Sequence, residues 1–147
     1  MIVRRATLAA MLALALAAFG VGSPAAAQQA SLSSAASAVA GFWSRGNADG
    51  LAEMLSRSGV ALHLFDESHP AAGVRQARAA LAQLLEKRGG ARVTRVEELG
   101  GSPQRGFAEI GWDVSAPGSA DGLRYVVFVG FVRADDGWRI AEIRVLR

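Results

Sequence analysis

The sequence predicts an α+β domain in which three N-terminal helices pack on a strongly curved, mostly antiparallel sheet. Three observations lead there. The stretch Leu123 to Arg147 alternates apolar and polar residues and breaks once, at Ala134-Asp-Asp-Gly137, so it spells two long strands around a short turn. Between Leu32 and Leu85, apolar residues recur at spacings of three and four, the period of a helix packed on one side. The helices come first and most of the strands last, an order that gathers the helices on one face of a sheet.

The chain opens with a basic start, Met1-Ile-Val-Arg-Arg5, an apolar run rich in Leu and Ala from Leu8 to Val21, and the small residues Ala25-Ala-Ala27. This is the pattern of a secretory signal covering residues 1–27. The run is about 14 residues long, below the roughly 20 that a spanning helix needs, so no stable membrane span is expected once the signal is removed. With no cysteine among 147 residues, the sequence offers neither a lipid-anchored thiol nor a disulfide, and the expected location is the periplasm or the medium. Removal of the signal leaves 120 residues, enough for one domain, and takes Arg4 and Arg5 out of the basic count, leaving 14 basic to 13 acidic residues. These charges are interspersed, so nucleic acid is not an expected partner.

Residues 28–37, rich in Ala, Ser and Gln, predict a flexible tail leading into the first helix, and the domain itself is placed at 32–147. Leu32, Ala35, Val39, Phe42 and Trp43 mark the first helix, which Gly46 stops. Asn47 or Asp49 caps a second, with Leu51, Met54 and Leu55 as its stripe before Gly59. Val60 to Phe65 predicts a strand carrying His63, and Asp66-Glu-Ser-His-Pro70 predicts a loop. Val74, Ala77, Leu81, Leu84 and Leu85 form the stripe of a third helix, ended by Gly89-Gly90. Three strands follow, Ala91–Leu99, Arg105–Ala116 and Leu123–Ala134, before the closing strand from Trp138.

The closing turn sets a register. Read as a type I turn followed by a glycine bulge, Ala134-Asp-Asp-Gly137 makes Gly137 and Trp138 share Ala134, placing Phe131 opposite Ala141 and Val132 opposite Ile140. Tyr125, Val127, Val129, Phe131, Ala141, Ile143 and Val145 then share an uncharged, buried face. Val126, Phe128, Val132 and Ile140 fall on the opposite face with Glu142 and Arg144, and Trp138 becomes a half-exposed staple beside the turn. One strand further out, a symmetric loop pairs Trp112 with Tyr125, Ile110 with Val127 and Asp113 with Arg124.

The run Phe42-Trp-Ser-Arg-Gly-Asn-Ala-Asp-Gly-Leu-Ala-Glu-Met-Leu55 resembles the first two helices of the nuclear transport factor 2-like superfamily, also described as cystatin-like in fold and SnoaL- or ketosteroid-isomerase-like. Gly137-Trp-Arg-Ile-Ala-Glu-Ile-Arg-Val145 is similar to its last strand, so the resemblance covers residues 32–147. It implies a cone-shaped scaffold able to enclose a pocket, and an uncharacterised secreted bacterial branch. It does not imply one function, because the scaffold carries isomerases, dehydratases, hydrolases, cyclases and non-enzymatic domains. Alignment with the steroid isomerases puts the oxyanion-hole tyrosine position on Val39, the oxyanion aspartate on Val129 and the base on His63 or Leu64. Valine can neither donate to nor stabilise an oxyanion, which argues against that chemistry.

The candidate site residues follow. Val39, Trp43, His63, Trp112, Tyr125 and Val129 are the ligand-pocket candidates, with His63 alone as a weak catalytic candidate because imidazole titrates near neutrality. Each has a packing alternative: His63 as a core-side histidine with one ring nitrogen bonded, the aromatics as core filling. His63, Asp66 and His69 have types that suit zinc but no metal-site spacing, so no metal and no cofactor is expected. Val126, Phe128, Val132 and Ile140 form an apolar outer patch that a homodimer would cover. Three readings stay open: a non-catalytic exported domain, as a dimeric module or a binder of a small apolar ligand; an isomerase, dehydratase or cyclase using His63; and an envelope protein-interaction module.

Overall fold

A computed structural model describes residues 31–115, 118 and 120–147. The signal segment, and residues 28–30 of the tail, lie outside the described residues. The elements are α1 (Leu32–Arg45), α2 (Ala48–Met54), β1 (Val60–Leu64), β2 (Glu67–Ala72), α3 (Val74–Leu84), β3 (Gly89–Gly100), β4 (Arg105–Val114), β5 (Leu123–Ala134) and β6 (Gly137–Leu146). Three helices cover one face of a six-stranded mixed sheet of order β2-β1-β6-β5-β4-β3. All neighbours are antiparallel except β1 and β6, which run parallel.

Local chemistry explains the helix ends. The Ser31 side chain accepts the Ser34 N–H at the start of α1, and Gly46, at φ 64°, closes it in the left-handed conformation that glycine adopts without a Cβ penalty. Asn47 Oδ1 accepts the Gly50 N–H at 2.9 Å and starts α2 at once. This abrupt joint presses the two helices together: a Cβ on Gly50 would lie 2.6 Å from the Phe42 ring.

The sequence-derived register holds across β4 and β5, where Trp112 faces Tyr125, Ile110 faces Val127 and Asp113 faces Arg124. In the closing hairpin it holds from Val126 to Gly130, which face Leu146 to Glu142, and fails nearer the turn. Ala134 pairs with Gly137, Arg133 with Trp138 and Phe131 with Ile140, and the register shifts only between Gly130 and Phe131, so the extra residue is Ala141. Ile140, expected on the outer face, is therefore fully buried, as is nearly all of Trp138, while Ala141 is only half-buried. The cause lies across the strand. Ahead of the start of β1, Leu55 bridges to Ile140 and the Ser56 N–H donates to the Ile140 carbonyl at 2.8 Å, which holds Ile140 on the helix side. Arg133, opposite Trp138, lays its guanidinium over the indole at 5.4 Å.

A second difference is β2. The segment expected as a loop forms an edge strand, returned from β1 by the two-residue turn Phe65-Asp66 with Leu64 paired to Glu67. Pro70 is tolerated there because an edge strand does not need every N–H for pairing. The first helix already includes residues 32–37.

The core lies between the helices and the sheet. Leu32, Val39 and Trp43 from α1, Leu51 from α2 and Leu81 from α3 meet Leu62, Ile110, Trp112, Val127, Val129, Ile140 and Ile143 from the strands. Among the described residues no charged or non-aromatic polar residue is buried, and no helix is long and apolar enough to cross a membrane.

Candidate functional site

The interior is packed shut at its centre and open at one end. Trp43 and Trp112 meet edge to face at 5.5 Å and fill the middle, with Val39 and Val129 fully buried beside them. Four of the six ligand-pocket candidates are thus core. The indole N–H groups of both tryptophans are buried with no partner among the described residues, each a cost of about 1–3 kcal/mol that the packing around them must offset.

The open end is where β1, β4 and α3 finish and β5 begins. An open cleft of about 800 Å³ lies there, within the range of small-molecule sites. Leu64, Leu84, Val114 and Tyr125 make its floor, all buried at least nine-tenths, and Phe65 and Leu123 extend the apolar surface outward at 39% and 52% exposure. Asp66, Glu67, Glu86, Lys87 and Arg88 stand around it. A smaller cleft of about 670 Å³, reaching Val145 and Leu146, shares Phe65, Asp66, Lys87 and Tyr125 with the first. The two flank one aromatic ridge: Phe65 meets Tyr125 edge-on at 5.1 Å, and Tyr125 rests on Trp112 at 5.5 Å.

Phe65 holds this place against its own backbone preference. Its φ of 53° makes it the one non-glycine residue with positive φ among the described residues, a conformation costing roughly 1–2 kcal/mol for a residue with a Cβ. Strain of this kind concentrates where a side chain must be aimed.

His63 is elsewhere. It sits opposite Arg144 of β6 and Ser68 of β2, on the face away from the helices, while Leu62 and Leu64 point inward. Its Nδ1 lies 3.1 Å from the Ser68 hydroxyl and it borders neither cleft. The strand alternation that buries Leu62 and Leu64 forces this, so His63, the expected pocket residue and weak catalytic candidate, stands outside both clefts. His69 instead contacts Gln76 and lies 3.6 Å from Glu67. No group of three or more His, Cys, Asp or Glu among the described residues is placed to hold a metal.

The acids with displaced pKa values also lie away from the clefts. Hydrogen bonds from Arg78, Arg124 and Arg139 hold Asp49, Asp113 and Asp136 below the usual carboxylate range, each as an exposed ion pair. On the outer face, Val126, Phe128 and Val132 stand as expected, and Ile140 does not join them. Phe128 stacks on Phe107 at 5.2 Å, and Arg95 lies over the Phe107 ring. Of the cleft residues, the sequence singled out only Tyr125 as a pocket residue; Phe65 beside Asp66 in a two-residue turn is the signal that was available.

No protein-family model and no curated protein matches the chain. Solved structures do match it. A DUF4783 family protein from Bacteroides uniformis superposes with a TM-score of 0.61 at 21% identity, over 75% of this chain and 94% of its own. A domain of unknown function with a cystatin-like fold from Nostoc punctiforme gives 0.59 at 20% identity, over 75% and 70%. The designed protein Rd1NTF2_04 with long sheet gives 0.62 at 14% identity, over 78% and 99%. At these identities the likeness is one of fold.

Proposed function

We propose that this chain, whose fold is nuclear transport factor 2-like and cystatin-like, is an exported, non-catalytic domain that holds a small apolar ligand at the open end of its interior. The cleft carries the reading: a floor of Leu64, Leu84, Val114 and Tyr125 beneath a rim of exposed charges is the arrangement of an apolar site with a wet edge. Export is supported by the basic start, the apolar run Leu8 to Val21 and Ala25-Ala-Ala27. The non-catalytic reading is supported by Val39 and Val129, buried hydrocarbon at the positions where the steroid isomerases would have an oxyanion hole.

The test is titration with N-phenyl-1-naphthylamine, an uncharged probe that fluoresces in apolar surroundings. Saturable enhancement with one site per chain is expected, abolished by Leu84→Glu and untouched by Val126→Glu on the outer face. No saturable signal, or equal loss in both variants, overturns the reading.

A second reading concerns the outer face, where Val126 is 38% exposed beside the stacked Phe107 and Phe128. A homodimer joined sheet to sheet would cover this patch, and an envelope protein docking there is the alternative. Sedimentation equilibrium at micromolar concentration separates them: a dimer that Phe128→Glu dissociates supports the first, and a monomeric wild type sinks it.

A further inference from the structure

Resting on the ligand reading above, we infer that the cleft selects an uncharged, flat molecule bearing one hydrogen-bonding oxygen, which docks on the hydroxyl of Tyr125. Tyr125 is 5% exposed, yet it borders both clefts and its hydroxyl has no hydrogen-bond partner among the described residues. Among the described residues it is the one nine-tenths-buried lining residue that carries a polar side-chain atom; Leu64, Leu84 and Val114 around it are hydrocarbon. A phenol sunk in such a wall leaves a donor to be met by whatever fills the cleft. Its ring cannot swing away, since Trp112 supports it from within and Phe65 abuts it from outside. The exposed edge of this aromatic ridge favours a flat partner.

The rim argues for a neutral ligand. Lys87 would attract a carboxylate, but Asp66 lines the same two clefts and would repel it, and neither side chain has a partner among the described residues. Glu86 and Glu67 add negative charge and Arg88 adds positive charge, which its hydrogen bond to the neutral Arg45 carbonyl at 3.0 Å leaves in place. For an ammonium group the same pairs act in reverse. With three carboxylates against two cations, all exposed at the rim of the larger cleft, either sign of charge meets a nearly balanced, solvent-screened field, whereas a single oxygen gains the Tyr125 hydrogen bond.

Equilibrium dialysis of the full chain against 2-naphthol, naphthalene and 2-naphthoate tests this. One net hydrogen bond predicts that 2-naphthol binds about fivefold more tightly than naphthalene, with 2-naphthoate weaker than 2-naphthol. Tyr125→Phe should bring 2-naphthol down to the naphthalene level. Its melting temperature should match the wild type, because the hydroxyl it removes has no partner in the fold. Equal affinity for all three compounds, or no effect of Tyr125→Phe, overturns the selectivity while leaving the apolar site standing. Tightest binding by 2-naphthoate, lost in Lys87→Gln, overturns it in favour of an anionic ligand. No binding of any compound, N-phenyl-1-naphthylamine included, removes the site itself.

Discussion

Replacing Ile140 by alanine tests the register of the closing hairpin, because a one-residue difference moves that side chain from one face of the sheet to the other. With the bulge at Ala141, Ile140 is fully buried against the bridge from Leu55. The substitution removes three side-chain carbons at roughly 0.8 kcal/mol each. The residual cavity brings the loss to about 3 kcal/mol, within the usual range of about 2–5. Val132→Ala, half-buried on the outer face, should cost under about 1 kcal/mol. In urea unfolding at fixed protein concentration, with a slope of about 1.5 kcal/mol/M for a chain of this size, the Ile140→Ala midpoint should fall by about 2 M with the slope unchanged. A loss below about 1 kcal/mol, equal to that of Val132→Ala, would put Ile140 outside and the bulge back at Gly137.

Three further outcomes are expected. A Cβ on Gly89 would lie 2.0 Å from the Asp113 carbonyl oxygen, while one on Gly90 meets nothing within 4 Å; Gly89→Ala should therefore cost about 1–3 kcal/mol and Gly90→Ala little, by thermal melting. Phe65→Gly relieves a strained φ worth roughly 1–2 kcal/mol but loses the edge contact with Tyr125, worth about 0.5–1.5 kcal/mol. Its melting temperature should stay near that of the wild type while N-phenyl-1-naphthylamine binding weakens. Asp49, Asp113 and Asp136 have folded pKa values below the ordinary 3.8, so the stability they contribute is complete above that value and declines as pH falls through their lower folded values. Urea midpoints at pH 7, 4 and 3 should show this acid loss, and the triple Asp→Asn variant should show less of it.

The sheet was legible where side chains force the answer. Trp112 opposite Tyr125 and Ile110 opposite Val127 follow from two alternating strands that each bury one uncharged face. The closing hairpin was only half legible, because Ala134-Asp-Asp-Gly137 admits two registers one residue apart and Ala141 is too small to betray a bulge. What decides is a contact from Leu55 and Ser56, distant in sequence. The second strand, Glu-Ser-His-Pro-Ala-Ala, has no aromatic or β-branched residue and contains a proline; it pairs because a two-residue turn delivers it to an open edge. His63 was misplaced because its strand is apolar on both sides of it, so nothing in the sequence announces that Val60, Leu62 and Leu64 take the inner face. The cleft was least legible of all: Leu64, Leu84, Val114 and Leu123 come from the ends of four elements, and no spacing in the sequence announces that they meet.

The most direct test of the apolar site is a methyl-resolved NMR titration of the full chain with N-phenyl-1-naphthylamine. Shifts confined to Leu64, Leu84, Val114 and Leu123, with Val39 and Val129 unmoved, are the predicted result. Shifts confined to Val126 and Val132 on the outer face, or no saturable shift anywhere, would contradict it.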